Sequence, residues 1–321
     1  MNRDVNRELA PVAVYTYSRL NHLRQTIAAL QQNFLAGDTV LYVVSDGPKA
    51  EAHRPIVNQI REYLDSVSGF REVVRIYRDK NLGTPASISQ AEEQIVCDHG
   101  TVISMEDDNL SSRNFLDFMN GGLSAYHDDP AIFSICGYCP PIRVPAGFSS
   151  EYWFHRWNMS WGYALWKHKY YSIYPLENRY PEFKREGLLR KVRAQGGLCI
   201  TDSLMLDYKK KRIYPDSVLG AKMIREGFCS VIPTFSKIKN IGTDGSGVSG
   251  SRLAEQFDTE IDIRPITEFN FSGRPAMNEQ LVSGAVKFYN GTLLTRLARR
   301  LGVYHELATL KYGLQRKLFP A

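Results

Sequence analysis

The chain predicts an α/β fold: a mostly parallel sheet with helices on both faces. Two observations carry that reading. Short apolar runs of strand formers alternate with stretches whose apolar residues recur at three- and four-residue steps, and this rhythm runs from residue 12 to residue 136. Three of the runs also end in polar groups: Ser18-Arg19, Asp46, and Glu106-Asp107-Asp108. Parallel sheets of this class bind ligands where their strands end.

Taken in order, Val12 to Tyr17 reads as a buried strand, and Leu20, Leu23, Ile27, Leu30 and Phe34 mark one face of the helix after it. Thr39 to Val44 is a second strand, closed by the turn Ser45-Asp46-Gly47-Pro48. Ile56, Ile60, Leu64 and Val67 give a second helix and Glu72 to Tyr77 a third strand. The next helix begins near Thr84, where Pro85 suits the first turn because its missing N–H costs nothing there. Thr101 to Met105 is a fourth strand that stops at three consecutive acids. Phe115, Met119, Leu123 and Tyr126 give a fourth helix, and Ala131 to Cys136 a fifth strand.

Beyond residue 136 the texture changes. Aromatic residues crowd positions 137–180 among Pro and Gly, a density that either covers a core or lines a sugar site, since the apolar face of a sugar packs on a π-face. Short helices follow at 188–192 and 203–211, with Asp202 a candidate cap. Pro215-Asp216 opens another helix ended by Gly227, and Cys229 to Ile232 is strand-like. The Gly- and Ser-rich stretch 242–251 reads as a loop, and 252–285 shows little periodicity.

With 321 residues, 43% hydrophobic and 23% charged, the chain is long enough to bury a core and has the composition of a globular protein. Met1 to Leu9 is polar and no apolar run reaches the ~18 residues needed to cross a bilayer, so a cytoplasmic location is expected. Five cysteines fit reduced thiols. Cys136-Gly-Tyr-Cys139 has redox spacing, but Pro140-Pro141 opens no helix behind it. The formal net charge of +6 sits wholly in residues 285–321, where Lys287, Arg296, Arg299, Arg300, Lys311, Arg316 and Lys317 face the single acid Glu306. A nucleic-acid binder would spread its charge differently.

In that tail Leu294, Leu297, Leu301, Tyr304, Ala308, Leu310, Leu314 and Leu318 recur at helical steps among the basic residues. Such a helix, over about 290–318, suits the headgroup layer of an anionic membrane at the inner face of the plasma membrane. Three adjacent carboxylates at 106–108 repel one another unless a cation is present, and oxygen-only ligands suit Mg²⁺ or Mn²⁺ rather than zinc. No Gly-x-Gly-x-x-Gly follows the first strand and no P-loop occurs anywhere, which argues against an NAD enzyme or a P-loop kinase.

Together, Pro11 to Arg19, Ser45-Asp46, Asn81-Leu-Gly83, Glu106-Asp107-Asp108, Ser160-Trp-Gly-Tyr-Ala-Leu-Trp166 and Asn240-Ile-Gly-Thr-Asp-Gly245 resemble a metal-dependent GT-A glycosyltransferase. The pattern is that of the N-acetylglucosaminyltransferase I type and of bacterial family-2-like sugar transferases. The resemblance implies that Arg19 and Asp46 contact the uracil or ribose of a nucleotide sugar, Asp107 the ribose, and Glu106 the donor sugar. It implies Asp108 as the direct metal ligand, with Trp161 and Trp166 bordering the acceptor. A catalytic base is implied at a helix start some ten residues before the strand leading to Asn240, which is Asp216, with Asp202 the runner-up. Here Asp216 stands in Tyr-Pro-Asp-Ser rather than in the family's tryptophan-flanked setting.

The implied activity is inverting transfer of a hexose or N-acetylhexosamine from a UDP-linked donor to a saccharide, with a lipid-linked acceptor in bacterial surface polysaccharide synthesis as the expected setting. The alternatives are a sugar nucleotidyltransferase, which would normally open with a glycine-rich basic loop absent from Tyr17-Ser-Arg-Leu-Asn21, and a non-catalytic sugar-binding protein. The expected organisation is a nucleotide-sugar half (1–136), an acceptor half of the same domain (137–285) and the basic helical tail (286–321).

Overall fold

A computed structural model describes residues 8–211, 213, 215–244, 254–271, 277–301, 303, 304 and 307. The first half alternates as the periodicity predicts. β1 (Val12–Thr16) leads to α1 (Leu20–Gln31), β2 (Val40–Ser45) to α2 (Arg54–Asp65), and β3 (Glu72–Tyr77) to α3 (Thr84–His99). Next come β4 (Thr101–Glu106), β5 (Asn109–Ser111), α4 (Phe115–Ala125) and β6 (Ile132–Cys136). Proline opens α2 and α3, and α3 stops at Gly100, whose left-handed φ of 77° ends the helix in a conformation that costs glycine little.

The second half supplies β7 (Tyr152–His155), β8 (Tyr163–Trp166), α5 (Lys167–Ile173), α6 (Tyr180–Arg185), α7 (Leu188–Gly196), α8 (Leu198–Lys209) and α9 (Pro215–Glu226). It closes with β9 (Cys229–Pro233), β10 (Ile238–Asn240), α10 (Glu279–Asn290) and α11 (Leu293–Arg300). One eight-stranded sheet runs through both halves in the order β3-β2-β1-β4-β8-β6-β9-β7, and β10 pairs with β5 in a separate ribbon. The pairs among β1 to β4 are parallel, as is β6 with β9; β8 is antiparallel to both its neighbours and β7 to β9. The fold is therefore the expected α/β class with a mostly parallel sheet.

Several elements depart from the sequence reading, among them the helices α5 and α6, which it did not give. β7 and β8 arise inside the aromatic segment, where four-residue strands covered on both faces show no alternation to read. α10 falls in a stretch that looked irregular, because it buries only Leu281, Ala285 and Asn290; its start is set by Asn278, whose side chain accepts from the amides of Gln280 and Leu281. In the tail, α11 is helical as expected, while most of 302–318 and the loop residues 245–251 lie outside the described residues.

Strand alternation sorts the core into two layers. Val12, Val14, Ile103 and Met105 pack with Leu23, Ile27 and Leu30 of α1 and with Ile60 and Leu64 of α2. On the opposite face Ala13, Tyr15 and Val102 pack with Ala91 and Ile95 of α3, Tyr170 of α5, and Leu219 and Met223 of α9. No cysteine is in a disulfide; burial pushes the Cys136 thiol up to about 11 and Cys139 to about 12, so neither offers a thiolate.

Candidate functional site

β1 and β4 lie side by side and parallel, with Tyr15 opposite Glu106, so whatever follows them emerges at one edge of the sheet. Successive side chains on a strand point to opposite faces. Glu106 continues the row of Val102 toward α3 and α9, and Asp107 turns to the α1 side.

On the α1 side every carboxylate is held. Thr16 donates to Asp107 Oδ2 at 2.9 Å, Arg19 pairs with Asp107 Oδ1, and Thr26 donates to the Asp107 carbonyl at 2.8 Å. The same guanidinium reaches Asp108 Oδ2 at 2.7 Å. Asp108 Oδ1 accepts from Asn240 at 2.7 Å and Asn109 at 2.9 Å, and its carbonyl from the Ile241 amide at 2.9 Å. Both aspartates are buried. Desolvation raises the Asp107 carboxyl against the pull of Arg19, while Asp107 and Asp108 keep the guanidinium charged.

The Asn240-Ile241-Gly242 motif closes over this pair. A Cβ on Gly242 would lie 2.0 Å from Asp108 Oδ2 and 2.8 Å from Arg19 Nη1, so only glycine lets the backbone pass. Asp244 then meets His22 of α1 at 3.2 Å. The roles of Asn240, Gly242, Thr16 and Thr26 in holding the acids escaped sequence reasoning. The one available signal was a polar residue ending an apolar strand, as Thr16 does.

Asp46 corrects one expectation. Its Oδ1 accepts from the amides of Gly47 and Leu82, each at 2.9 Å, and its Oδ2 from Asn81 at 3.0 Å and the Gly83 amide at 2.9 Å. A carboxylate offers about four lone-pair sites, and these four bonds fill them. Asp46 therefore ties the end of β2 to the start of α3 instead of reaching a donor.

The other face is different. Glu106 accepts no side-chain hydrogen bond from the described residues, and burial, then the charges of Asp108, Asp216 and Asp107, push its carboxyl up to about 8 against Arg19. Asp216 stands in the first turn of α9, close enough for its charge to be felt at Glu106. It accepts from Ser160 Oγ at 2.6 Å, and burial raises its carboxyl while that bond lowers it. The structure thus brings together Arg19, Glu106, Asp107, Asp108 and Asp216.

Two further expectations change. Asp202 lies on α8 and meets Arg299 of α11 at 3.3 Å, so the runner-up base serves to hold the last helix. Trp166 is 1% exposed and its indole N–H donates to the Leu123 carbonyl at 3.2 Å; it is a core residue with no face left for an acceptor. Trp161, by contrast, is partly exposed and meets Tyr138 and Phe257 edge-on at 4.7 and 5.6 Å.

Among the described residues, no group of three or more His, Cys, Asp or Glu forms a metal cage. Mg²⁺ is commonly held by one or two carboxylates plus substrate phosphates, so a cage is not required. The donor set here, oxygen without thiolate or imidazole, fits such a hard ion. Asp108 and Glu106 are the carboxylates suited to it, and the crowding that raises the Glu106 carboxyl is what a cation would relieve.

No family model and no curated protein matches the chain. Solved structures do. Mannosyltransferase PcManGT from Pyrobaculum calidifontis, in complex with GDP-Man and Mn²⁺, is 11% identical over 68% of this chain and 70% of that one, with a TM-score of 0.39. Galactosyltransferase LgtC with donor and acceptor sugar analogs is 11% identical over 68% and 72%, with a TM-score of 0.35. TarS of S. aureus is 14% identical over 44% of this chain and only 23% of its own, with a TM-score of 0.29. Likenesses this distant settle neither substrate nor chemistry, which the residues must decide.

Proposed function

We propose that the chain is a glycosyltransferase that moves a hexose or N-acetylhexosamine from a nucleotide-sugar donor, UDP-linked, to a saccharide hydroxyl with inversion. One observation carries it. At a single strand-end edge, Arg19 holds Asp107 and Asp108 on one face, while on the other Asp216 lies near enough to Glu106 for its charge to be felt there. That is a place for a charged donor beside a carboxylate free to act as a base.

Asp216, with its carboxyl raised by burial and kept in place by Ser160, takes the proton of the acceptor hydroxyl as that oxygen attacks. Attack and departure on opposite sides of the anomeric carbon invert it in one step. Arg19 orients the nucleotide, Asp107 lies toward its ribose from the α1 side, and Glu106 lies toward the donor sugar from the other. Asp108, with Glu106 beside it, would hold Mn²⁺ or Mg²⁺, which when bound supplies charge neutralisation for the diphosphate.

For the acceptor the reading is a saccharide carried on a polyprenyl lipid, in bacterial surface polysaccharide synthesis at the cytoplasmic face of the membrane. No described helix is long and apolar enough to cross a membrane. The support is α11, where Leu293, Leu294 and Leu297 are 75%, 78% and 52% exposed alongside Arg300. A leucine face beside cations suits an anionic interface. Co-sedimentation with phosphatidylglycerol vesicles should drop on truncation after Gly291, which removes α11 and leaves α10 whole; equal binding would remove the membrane contact.

The function itself is tested by a thermal-shift panel of nucleotide diphosphates and their sugars with and without Mn²⁺, followed by donor hydrolysis. A shift that needs both UDP and metal, with slow release of UDP, is expected. A shift without any hydrolysis or transfer would indicate a binder, and release of diphosphate from a nucleoside triphosphate and a sugar phosphate would indicate a nucleotidyltransferase.

A further inference from the structure

The base candidate is tied by a hydrogen bond to an aromatic segment. Ser160, which donates to Asp216, lies between Trp157 and Trp161 in the chain. Gly220 stands one helical turn after Asp216, and a Cβ there would meet the Trp157 indole at 3.6 Å. Trp157 therefore lies along the α9 face that carries Asp216.

These two tryptophans differ from the buried pair in the same segment. Trp153 and Trp166 are 2% and 1% exposed, and the Trp166 N–H is used inside the protein. Trp157 and Trp161 keep part of their surface in solvent, and their indole N–H groups donate to no group among the described residues. A half-buried indole is suited to a ligand with one apolar face and hydroxyl groups at its edge, which describes a pyranose.

Both rings are backed by the C-terminal segment. Tyr289 of α10 lies 4.6 Å from Trp157, centroid to centroid, and donates to the Met159 sulfur at 3.0 Å. Phe257 lies 5.6 Å from Trp161, with its carbonyl accepting from Tyr138, and 5.3 Å from Phe288 of α10. Asn290 secures the end of α10 by accepting from the Leu198 amide at 2.7 Å.

We propose that Trp157 joins Trp161, which the resemblance already sets beside the acceptor, in an acceptor subsite next to Ser160 and Asp216, and that Tyr289 is a positioning residue through which α10 fixes the Trp157 ring. This deepens the glycosyltransferase reading and rests on it. The subsite takes the apolar face of an acceptor pyranose, with an indole N–H donating to a ring hydroxyl. The C-terminal segment then belongs to the acceptor site, although its sequence carries no motif.

The test is steady-state transfer to p-nitrophenyl hexosides and N-acetylhexosaminides, with donor and acceptor varied separately. Trp157→Leu should raise the acceptor KM about tenfold while the donor KM stays within twofold. Trp157→Phe, which keeps a ring but loses the N–H, should fall between that variant and wild type. Tyr289→Leu should raise the acceptor KM in the wild-type background but not in the Trp157→Leu background, because coupled residues are not additive. An unmoved acceptor KM in Trp157→Leu and Trp157→Phe, with wild-type transfer intact, would overturn the subsite alone. A wild type that transfers to no acceptor and hydrolyses no donor would defeat the functional reading and the subsite with it.

Discussion

The two sides of the acidic cluster are built on opposite principles. On the α1 side, Asp107 and Asp108 share Arg19, and Thr16, Asn109 and Asn240 occupy their remaining oxygens. On the α9 side, Glu106 accepts no side-chain hydrogen bond from the described residues, and Asp216 rests on Ser160. The first arrangement pairs every buried charge and so supports the fold, with one lone-pair site of Asp108 Oδ2 left for a cation. The second keeps carboxylates under-paired, which costs stability and leaves basic oxygens available. Substitutions on the two sides should therefore move stability in opposite directions.

The largest effect is expected from Asp216→Asn. The amide keeps the size of the side chain and can accept from Ser160, but it cannot take a proton, so transfer should fall on the order of a thousandfold. The Asp216 carboxyl is raised in the fold, and a raised acid favours folding most below its unfolded pKa and progressively less as pH rises. Asparagine removes that penalty, so the variant should be no less stable than wild type near pH 7. Wild-type turnover would remove Asp216 as the base, and a clear loss of stability would assign the residue to the framework.

Arg19→Met tests the other side. It leaves Asp107 and Asp108 as buried acids without their cation, and a loss of about 3 kcal/mol is expected in denaturant unfolding. Gly242→Ala should cost somewhat less, about 2 kcal/mol, because the new methyl overlaps the Asp108 carboxylate and the loop must shift to admit it. It should also weaken any UDP- and Mn²⁺-dependent thermal shift. Unchanged stability in both variants would erase the distinction between the two sides.

The gathering of the acids at one edge was open to sequence reading, but the resemblance set Glu106 and Asp107 together against the donor, and the structure instead pairs Asp107 with Asp108. Alternating strands and helices place the residues after β1 and β4 at one edge, and the two-residue period of a strand separates Glu106 from Asp107. Long-range closure was not legible. Nothing in local periodicity shows that Asn240 folds back onto Asp108, that Asp46 spends its oxygens on residues 81–83, or that Asp202 meets Arg299. Trp166 was misplaced for the same reason: strand pairing decides which tryptophans are buried, and β8 is too short and too apolar on both faces to announce itself.

The smallest effect should be the most discriminating. Ser160→Ala removes the hydroxyl that donates to Asp216 at 2.6 Å, a bond that favours the charged carboxylate. Without it the Asp216 carboxyl rises further, and the base is lost at a higher pH on acidification. The acid limb of the pH–rate profile should move up by about one pH unit, since a hydrogen bond to a charged group is worth ~1.5–3 kcal/mol and one unit is ~1.4 kcal/mol. Transfer on the plateau above that limb should fall much less than in Asp216→Asn, because the proton acceptor is still present. If Asp216 were only part of the helix start, the limb would stay where it is while stability changed. A shifted limb with a preserved plateau ties the titrating group to the α9 side of the cluster.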